Sequence, residues 1–361
     1  MMPFTQINRN IRSLKRYRQV LGVLIKYGFG NVIEQLNINY YLELGKRIVT
    51  FGAMSKDIER LSQPERLRLA MEELGPTFVK LGQILSTRPD LIPIEYAEEF
   101  RKLQDKVPSV PFSEIRPHIE KGLGKTIEEV FATLNSEPIA AGSIAQVHGA
   151  RLHTGEEVVV KVRRPGIMEI LETDLDILAG LAYLVENHLS SSVIYDPSGV
   201  VREFRRNIFR EIDFTREGHT TDRFSAHIQE SEIAYTPEVH WEQTAETVLT
   251  LEYVKGTKIT DFSQLEKQGQ DRKKIAENCA TILLEQVLVS GLFHGDPHPG
   301  NILVLKNERI CFLDYGMVGR LDEDLKQQLA ELLMSVMQRD ANRIISLLVY
   351  SGEMTEEINR S

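Results

Sequence analysis

Apolar positions change their period along the chain. Ile7, Ile11, Leu14, Leu21, Leu24 and Ile25 recur near helical spacing and predict an amphipathic helix at the front. Residues 55–125 predict further helices separated by proline-marked turns. The clearest runs from Pro76 to Arg88, with Pro76 in the first turn and Pro89 just past the end. Its apolar face carries Leu74, Phe78, Leu81 and Leu85, and Lys80, Gln83 and Thr87 fall on another face. From about Ile139 the period shortens. Ser143 to Ala150 and Glu157 to Arg163 predict two strands joined by a turn at Thr154–Gly155. Helices are expected over 166–190 and 198–230, then strand-like runs at Ile233–Trp241 and Thr247–Tyr253. A helix over 272–290, short strands at Ile302–Leu305 and Arg309–Leu313, and a helical end complete the pattern. This order predicts a helical extension (1–130), a small mixed lobe with a helical insert (131–255) and a mainly helical lobe (256–361).

The 361 residues suffice for two domains and a sizeable core. Hydrophobic residues at 42% and charged residues at 26% exclude a disordered or fibrous chain. Lys plus Arg number 43 against 52 Asp plus Glu, a formal charge of −9 that argues against a nucleic-acid grip. Cys279 and Cys311 have no CxxC spacing, so a disulfide scaffold or structural zinc site is not expected, and a reducing compartment is. No apolar run approaches the roughly 20 residues that cross a bilayer. The charge is unevenly spread: Met1 to Ile33 holds no acid but contains Arg9, Arg12, Lys15, Arg16, Arg18 and Lys26. Such a helix either packs on the rest of the chain or lies on an anionic membrane surface.

The densest chemistry is His294-Gly295-Asp296-Pro297-His298-Pro299-Gly300-Asn301, followed 13 residues past Asn301 by Asp314-Tyr315-Gly316. Phosphoryl transfer to a hydroxyl needs a carboxylate near the acceptor and oxygen ligands for magnesium on the phosphates. Asp296 would orient or deprotonate the acceptor, and Asn301 and Asp314 would hold the metal. A zinc site from His294, Asp296 and His298, or a purely structural turn, are the alternatives. Lys161 ends the apolar strand Val158-Val159-Val160, where a kinase places the lysine that contacts phosphates. Upstream, Ile139-Ala140-Ala141-Gly142-Ser143-Ile144-Ala145-Gln146-Val147-His148 stands where a kinase carries a glycine-rich loop, but with one glycine.

Together, Lys80-Leu81-Gly82-Gln83, the alanine-rich loop, Glu211-Ile212-Asp213, the His294–Asn301 run and Asp314-Tyr315-Gly316 resemble the UbiB family of atypical kinases. That family includes the mitochondrial coenzyme Q kinases and their AarF-type bacterial relatives, and the resemblance spans roughly residues 50–320. It implies an α+β, protein-kinase-like two-lobed fold that binds ATP and Mg2+ and supports ubiquinone or other isoprenoid-quinone metabolism at a membrane. By the same resemblance Lys161 contacts phosphate, Glu217 is its ion-pair partner, and Asp296 and Asn301 form the catalytic-loop pair. Asp314 becomes the magnesium ligand. Ala140, Ala141, Gly142 and Ser143, with Glu252 and Val254 beside the Tyr253 hinge, are assigned to cofactor binding. Lys80 and Gln83 match the family's own motif, which lies across the active site, with the counterpart of Lys80 tied to Glu211 and Asp213. Residues two apart do not share a helix face, so one ideal helix would not bring both acids to Lys80. Asp213 and Glu217, four apart, would share a face.

Gly142 replaces an alanine found in many relatives, which is expected to loosen the loop. The arginine that precedes many kinases' catalytic aspartate is missing, and no Ala-Pro-Glu follows Gly316 before Leu321-Asp322-Glu323-Asp324. A small-molecule or lipid acceptor, or ATP hydrolysis, is therefore favoured over protein phosphorylation. Two other functions stay open: a catalytically quiet, nucleotide-gated lipid or protein adaptor, and a small-molecule kinase of the aminoglycoside or choline type. Expected partners are ATP, membrane lipids or quinone precursors and quinone-biosynthesis proteins, not nucleic acid. The expected location is the cytoplasm, peripheral to the inner membrane in a bacterium, with any hydrophobic anchor in a segment after Ser361.

Overall fold

The computed structural model describes residues 4–35, 56–103, 107–188, 196–228 and 231–350. The chain divides into two compact units. The first is Met1–Gly155 with Val159–Ile212, and the second is Glu156–Val158 with Asp213–Ser361.

The first unit opens with helices α1 (Phe4–Lys26), α2 (Gly30–Gln35), α3 (Lys56–Glu59), α4 (Gln63–Leu74) and α5 (Pro76–Ser86). Helix α4 starts at a reciprocal capping box between Ser62 and Glu65 and ends at Gly75, whose φ of 98° lets the chain re-enter a helix at Pro76. Helices α6 (Ile94–Phe100), α7 (Phe112–Leu123) and α8 (Ile127–Val130) follow. Strands β1 (Phe131–Ala141), β2 (Ala145–Leu152) and β3 (Glu157–Arg163) then lie side by side in sequence order. Helices α9 (Ile167–His188) and α10 (Pro197–Glu211) close the unit. Leu74, Phe78, Leu81 and Leu85 are buried with Leu171, Leu175, Phe204 and Ile208 in one apolar cluster, as the expected face requires.

Helix α1 is fastened to this cluster. Val20 and Val23 are buried in it, and Arg16 donates through Nε and Nη2 to both oxygens of Asp174, at 2.7 and 2.9 Å. Asp174 is wholly buried and also accepts from the Thr77 hydroxyl at 2.7 Å. Arg16 further donates to the Leu74 carbonyl, so one guanidinium joins α1, the end of α4, α5 and α9. The basic helix is thus a packing element along its described side chains, which begin at Leu14. The side chains of Ile7, Arg9, Ile11 and Arg12 lie outside the described residues.

The second unit begins with α11 (Phe214–Ile228), β4 (Ala234–Tyr235), β5 (Val248–Glu252) and β6 (Thr257–Lys258). Helices α12 (Phe262–Lys267) and α13 (Arg272–Leu284) lead through a π-helical turn, Glu285–Ser290, to β7 (Leu292–His294). Strands β8 (Ile302–Val304), β9 (Ile310–Phe312) and β10 (Val318–Arg320) precede α14 (Glu323–Met337) and α15 (Ala341–Tyr350). One sheet has the order β4-β9-β8-β6, and β7 pairs antiparallel with β10. Phe224, Ile275, Ile282, Ile310, Phe312 and Tyr315 are buried together beneath them.

Four elements differ from the periodicity. Strand β1 begins at Phe131, well before Ile139, because Pro138 and register shifts between Leu134 and Ala140 erase its alternation. The expected helix 198–230 is two helices, with the break at Ile212–Asp213. The strand expected over Ile233–Trp241 is only Ala234–Tyr235, ahead of Pro237. The helix expected over 272–290 becomes π-helical from Glu285. Among the described residues no helix is long and apolar enough to cross a membrane.

Candidate active site

In the second unit, two antiparallel pairings hold the His294–Asn301 polar run against the Asp314-Tyr315-Gly316 motif. Strands β8 and β9 pair Ile302 with Phe312, and the Leu313 N–H donates to the Asn301 carbonyl at 2.9 Å. Asn301 and Asp314 therefore emerge at the same end of one hairpin. On the other side β7 and β10 pair His294 with Val318, and the Gly295 N–H donates to the Met317 carbonyl at 2.8 Å. Asp296 stands in the exposed loop between the two ladders.

Aromatic rings pack around His294. His294 is 3% exposed, its ring 5.3 Å from that of Phe312 and 5.4 Å from that of Tyr315. Its Nδ1 accepts from the Asp296 N–H at 3.1 Å, which sets the loop's direction and leaves the neutral ring's proton to Nε2. Burial lowers its pKa below the ordinary histidine value, against the pull of the Asp314 carboxylate. Gln286, from the π-helical turn, accepts the His294 backbone N–H at 3.0 Å.

Asp314 is preset by its own motif, accepting from the Gly316 N–H at 2.9 Å. Glu217, 3% exposed on α11, reaches the same place: a Cβ on Gly316 would sit 3.0 Å from Asp314 Oδ1 and 3.8 Å from Glu217 Oε2. Carboxylates and an amide are the hard oxygen donors that magnesium takes when phosphates complete its shell. The donor set at Asp314 and Asn301 fits that ion. The zinc alternative has no such support. His294 is packed between rings, and among the described residues no three His, Cys, Asp or Glu side chains group to hold a metal. His298 has its Nδ1 accepting the Gly300 N–H and its Nε2 3.9 Å from Asp296 Oδ2.

Glu252 and Val254 flank Tyr253, whose N–H donates to the Glu157 carbonyl at 3.0 Å, and the Glu252 carboxylate accepts from the Tyr235 hydroxyl at 2.6 Å. The chain after Gly316 is fully engaged. Val318–Arg320 pairs with Leu292–His294, the Leu321 N–H donates to the Gly291 carbonyl, and Asp322 caps α14. A Cβ on Gly319 would fall on the Phe293 ring, which would have to move to admit any side chain there.

In the first unit, Lys161 lies on β3 among the buried Val158, Val160 and Val162, on the alternate, half-exposed face. Ala140 and Ala141 end β1 opposite Val147 and Gln146, and the Gly142 N–H donates to the Ala145 carbonyl at 2.8 Å, closing the loop around the buried Ser143. A Cβ on Gly142 would meet only ordinary contact, 3.6 Å from the Ala145 carbonyl oxygen.

Lys80 and Glu211 come together, Nζ to Oε1 2.5 Å, on half-buried side chains. Asp213 follows the break after α10 and serves a local role. Its Oδ1 accepts the Thr215 N–H and hydroxyl, and its Oδ2 pairs with Arg216 at 3.1 Å. These hydrogen bonds hold its pKa below the usual carboxylate value despite burial. The geometry of one ideal helix thus does not apply to Glu211 and Asp213. Gln83 donates to the Leu103 carbonyl at 3.4 Å, and Gly82 clears the space that Leu103 and Met71 fill.

Several residues carry no weight in the motif pattern yet set this geometry. Arg163, 9% exposed, donates to the Ile212 carbonyl at 3.0 Å and anchors the chain next to Glu211. Arg164 holds the loop through its bond to the Gly142 carbonyl at 2.8 Å. Both arginines form a charged pair directly after an apolar strand and before Pro165-Gly166, a position the motifs do not weigh.

Residues 102–348 match the ABC1 atypical kinase-like domain family. The chain is 40% identical over 298 residues to the uncharacterized protein sll1770 of Synechocystis, covering 82% of this chain and 51% of that protein. It is 39% identical over 302 residues to a probable protein kinase UbiB of Marinobacter nauticus, covering 82% of this chain and 55% of that one. The complex structure of Rv3197 with erythromycin, from Mycobacterium tuberculosis, is similar at a TM-score of 0.58 and 26% identity, covering 81% of this chain and 73% of that one. The chain thus spans about half the length of these two curated relatives. Its family match, its order of motifs and its mixed helix-and-sheet, kinase-like architecture agree, and the chain belongs to the ABC1 atypical kinase-like family, to which its UbiB relatives point.

Proposed function

We propose that this chain is the nucleotide-handling part of an atypical kinase or ATPase, using magnesium-bound ATP and serving isoprenoid-quinone or lipid chemistry at a membrane. The observation that carries it is the bond from Leu313 to Asn301, which fixes Asn301 and Asp314 at one end of a hairpin with Asp296 in the adjoining loop. In this reading Asp314 and Asn301 would hold magnesium, which when bound neutralises phosphate charge. Asp296 orients the acceptor hydroxyl or water and takes its proton. Lys161 and the Ala140–Ser143 loop are assigned to the phosphates, Glu217 to the ion-pair role its motif position implies, and Glu252 and Val254 to the base. We keep the functional division into 1–130, 131–255 and 256–361 as part of the same proposal.

The acceptor proposed is a small molecule or lipid, or water. The strand after Gly316 pairs with β7, which takes its backbone groups away from a docking peptide. The related erythromycin complex, with its non-peptide ligand, supports this choice. At the membrane, Lys15 and Arg18 with the exposed Leu14 are the α1 residues offered to anionic lipid, because Val20, Leu21 and Val23 are buried. The adaptor reading draws on the Lys80–Glu211 pair, which spends the motif lysine on a carboxylate of the same unit. ATP turnover by the wild type in the presence of anionic vesicles, and its loss in Asp314→Asn, tests the proposal. Nucleotide binding without turnover would favour the adaptor.

A further inference from the structure

Arg164 follows β3 and none of the motifs includes it. Its Nε donates to the Gly142 carbonyl and its Nη2 to the Pro108 carbonyl, each at 2.8 Å. Its backbone N–H donates to the Ile144 carbonyl, also at 2.8 Å. Gly142 and Ile144 flank Ser143, so one residue grips the alanine-rich loop on both sides. The other hand of the same guanidinium holds the stretch Val107–Val110, which lies four residues past the Leu103 seated on Gly82 and Gln83.

A second grip lies beside the first. Gln146, wholly buried on β2, accepts the Val110 N–H at 2.9 Å and donates to the Val110 carbonyl at 3.2 Å, as a neighbouring strand would. Its Nε2 lies 2.8 Å from Nε2 of His148, whose Nδ1 meets the Asn135 carbonyl at 2.8 Å, so β1, β2 and 107–110 form one polar lattice. Burial pulls the Arg164 guanidinium below its ordinary pKa. A half-buried cation given to backbone carbonyls is costly to desolvate, and a planar fork with fixed donor spacing is the side chain that recovers most of that cost. A lysine ammonium lacks that planar fork.

We propose that Arg164 is a positioning residue that locks the Ala140–Ser143 loop to the 107–110 segment, so that loop and segment open and close as one body. Its bearing on catalysis rests on the proposal that this loop receives nucleotide phosphates; the lock itself does not.

The test uses the full chain as wild type, Arg164→Ala and Arg164→Lys, each with unchanged circular dichroism. Amide hydrogen exchange is read at Gly142–Ala145 and at Val107–Val110, with dissociation constants for ATP and for adenosine alongside. Loss of a charge-assisted hydrogen bond is expected to speed exchange at both segments together by roughly tenfold or more in either variant. ATP affinity should fall by about the same factor while adenosine affinity holds, because the loop touches phosphate and not base. Unchanged exchange at either segment in Arg164→Ala overturns the lock, as does wild-type exchange in Arg164→Lys, which would make charge alone sufficient. A wild type that binds no nucleotide would refute the kinase proposal and leave the exchange result to decide the lock.

Discussion

Lys80 and Glu211 form an ion pair of 2.5 Å between α5 and the last residue of α10, while Asp213, two residues on, is committed to Thr215 and Arg216. The two acids of the Glu-Ile-Asp motif therefore do different work. Glu211 positions the motif lysine, and Asp213 starts α11, the helix that carries Glu217. Glu211→Gln should release Lys80 and shift ATPase rate or nucleotide preference with little change in unfolding midpoint. Asp213→Ala should lower thermal stability by about 1 kcal/mol, the worth of a lost N-cap side chain. The two variants are compared by turnover assay and thermal unfolding. Equal effects on both readouts would contradict the division.

The two motif glycines should respond oppositely to alanine. In Gly82→Ala the new Cβ would lie 2.3 Å from Leu103 Cδ1 and 2.9 Å from Met71 Sδ. Both are side-chain atoms that must shift, so a loss of about 1–3 kcal/mol is expected in denaturant unfolding. Gly142→Ala meets no atom closer than 3.6 Å. It should be neutral or stabilising by about 0.4–1 kcal/mol, through the unfolded chain's lost freedom. The flexibility expected of Gly142 is thus not demanded by space.

Arg16 ties α1 to the buried Asp174. Arg16→Leu leaves that carboxylate with the Thr77 hydroxyl and should cost about 3 kcal/mol, the lower end for a broken buried pair because Arg16 retains some exposure. Adding Asp174→Asn should recover part of the loss. Urea unfolding of both variants followed by a first-unit probe checks it, and additive losses would deny the coupling.

Acid should weaken the fold before the carboxylates titrate. Burial depresses the pKa of His148 and His294 in the folded chain. The unfolded chain then binds more protons near their ordinary value, so their contribution is complete above about pH 6.5 and is lost as pH falls toward the folded values. Unfolding free energy measured from about pH 7.5 down to about pH 5 should decline, and His148→Phe should flatten part of the decline. A flat profile in the wild type would contradict the burial of both rings.

Much of this was legible in the chain. The face of Leu74, Phe78, Leu81 and Leu85 and the strand before Lys161 follow from spacing that packing then used. What hid was long-range or irregular. Strand β1 has bulges in place of alternation, and the helix over 198–230 breaks where the Phe214 N–H leaves the helix for the Glu246 carbonyl. Arg16 and Arg164 read as ordinary basic residues, since the carbonyls and carboxylate they serve lie far away in sequence. In the site, residue types alone carry the chemistry proposed for Asp296, Asn301 and Asp314. Only the pairing of Asn301 with Leu313 showed two of them sharing one hairpin end.

The most direct measurement is phosphate release from magnesium-bound ATP, wild type against Asp314→Asn and Asp296→Asn, with anionic vesicles present. Turnover in the wild type that falls by about a hundredfold or more in both variants is the predicted result, on the scale of a lost general base or preorganised electrostatic partner. Turnover in the wild type that survives both substitutions would contradict the site.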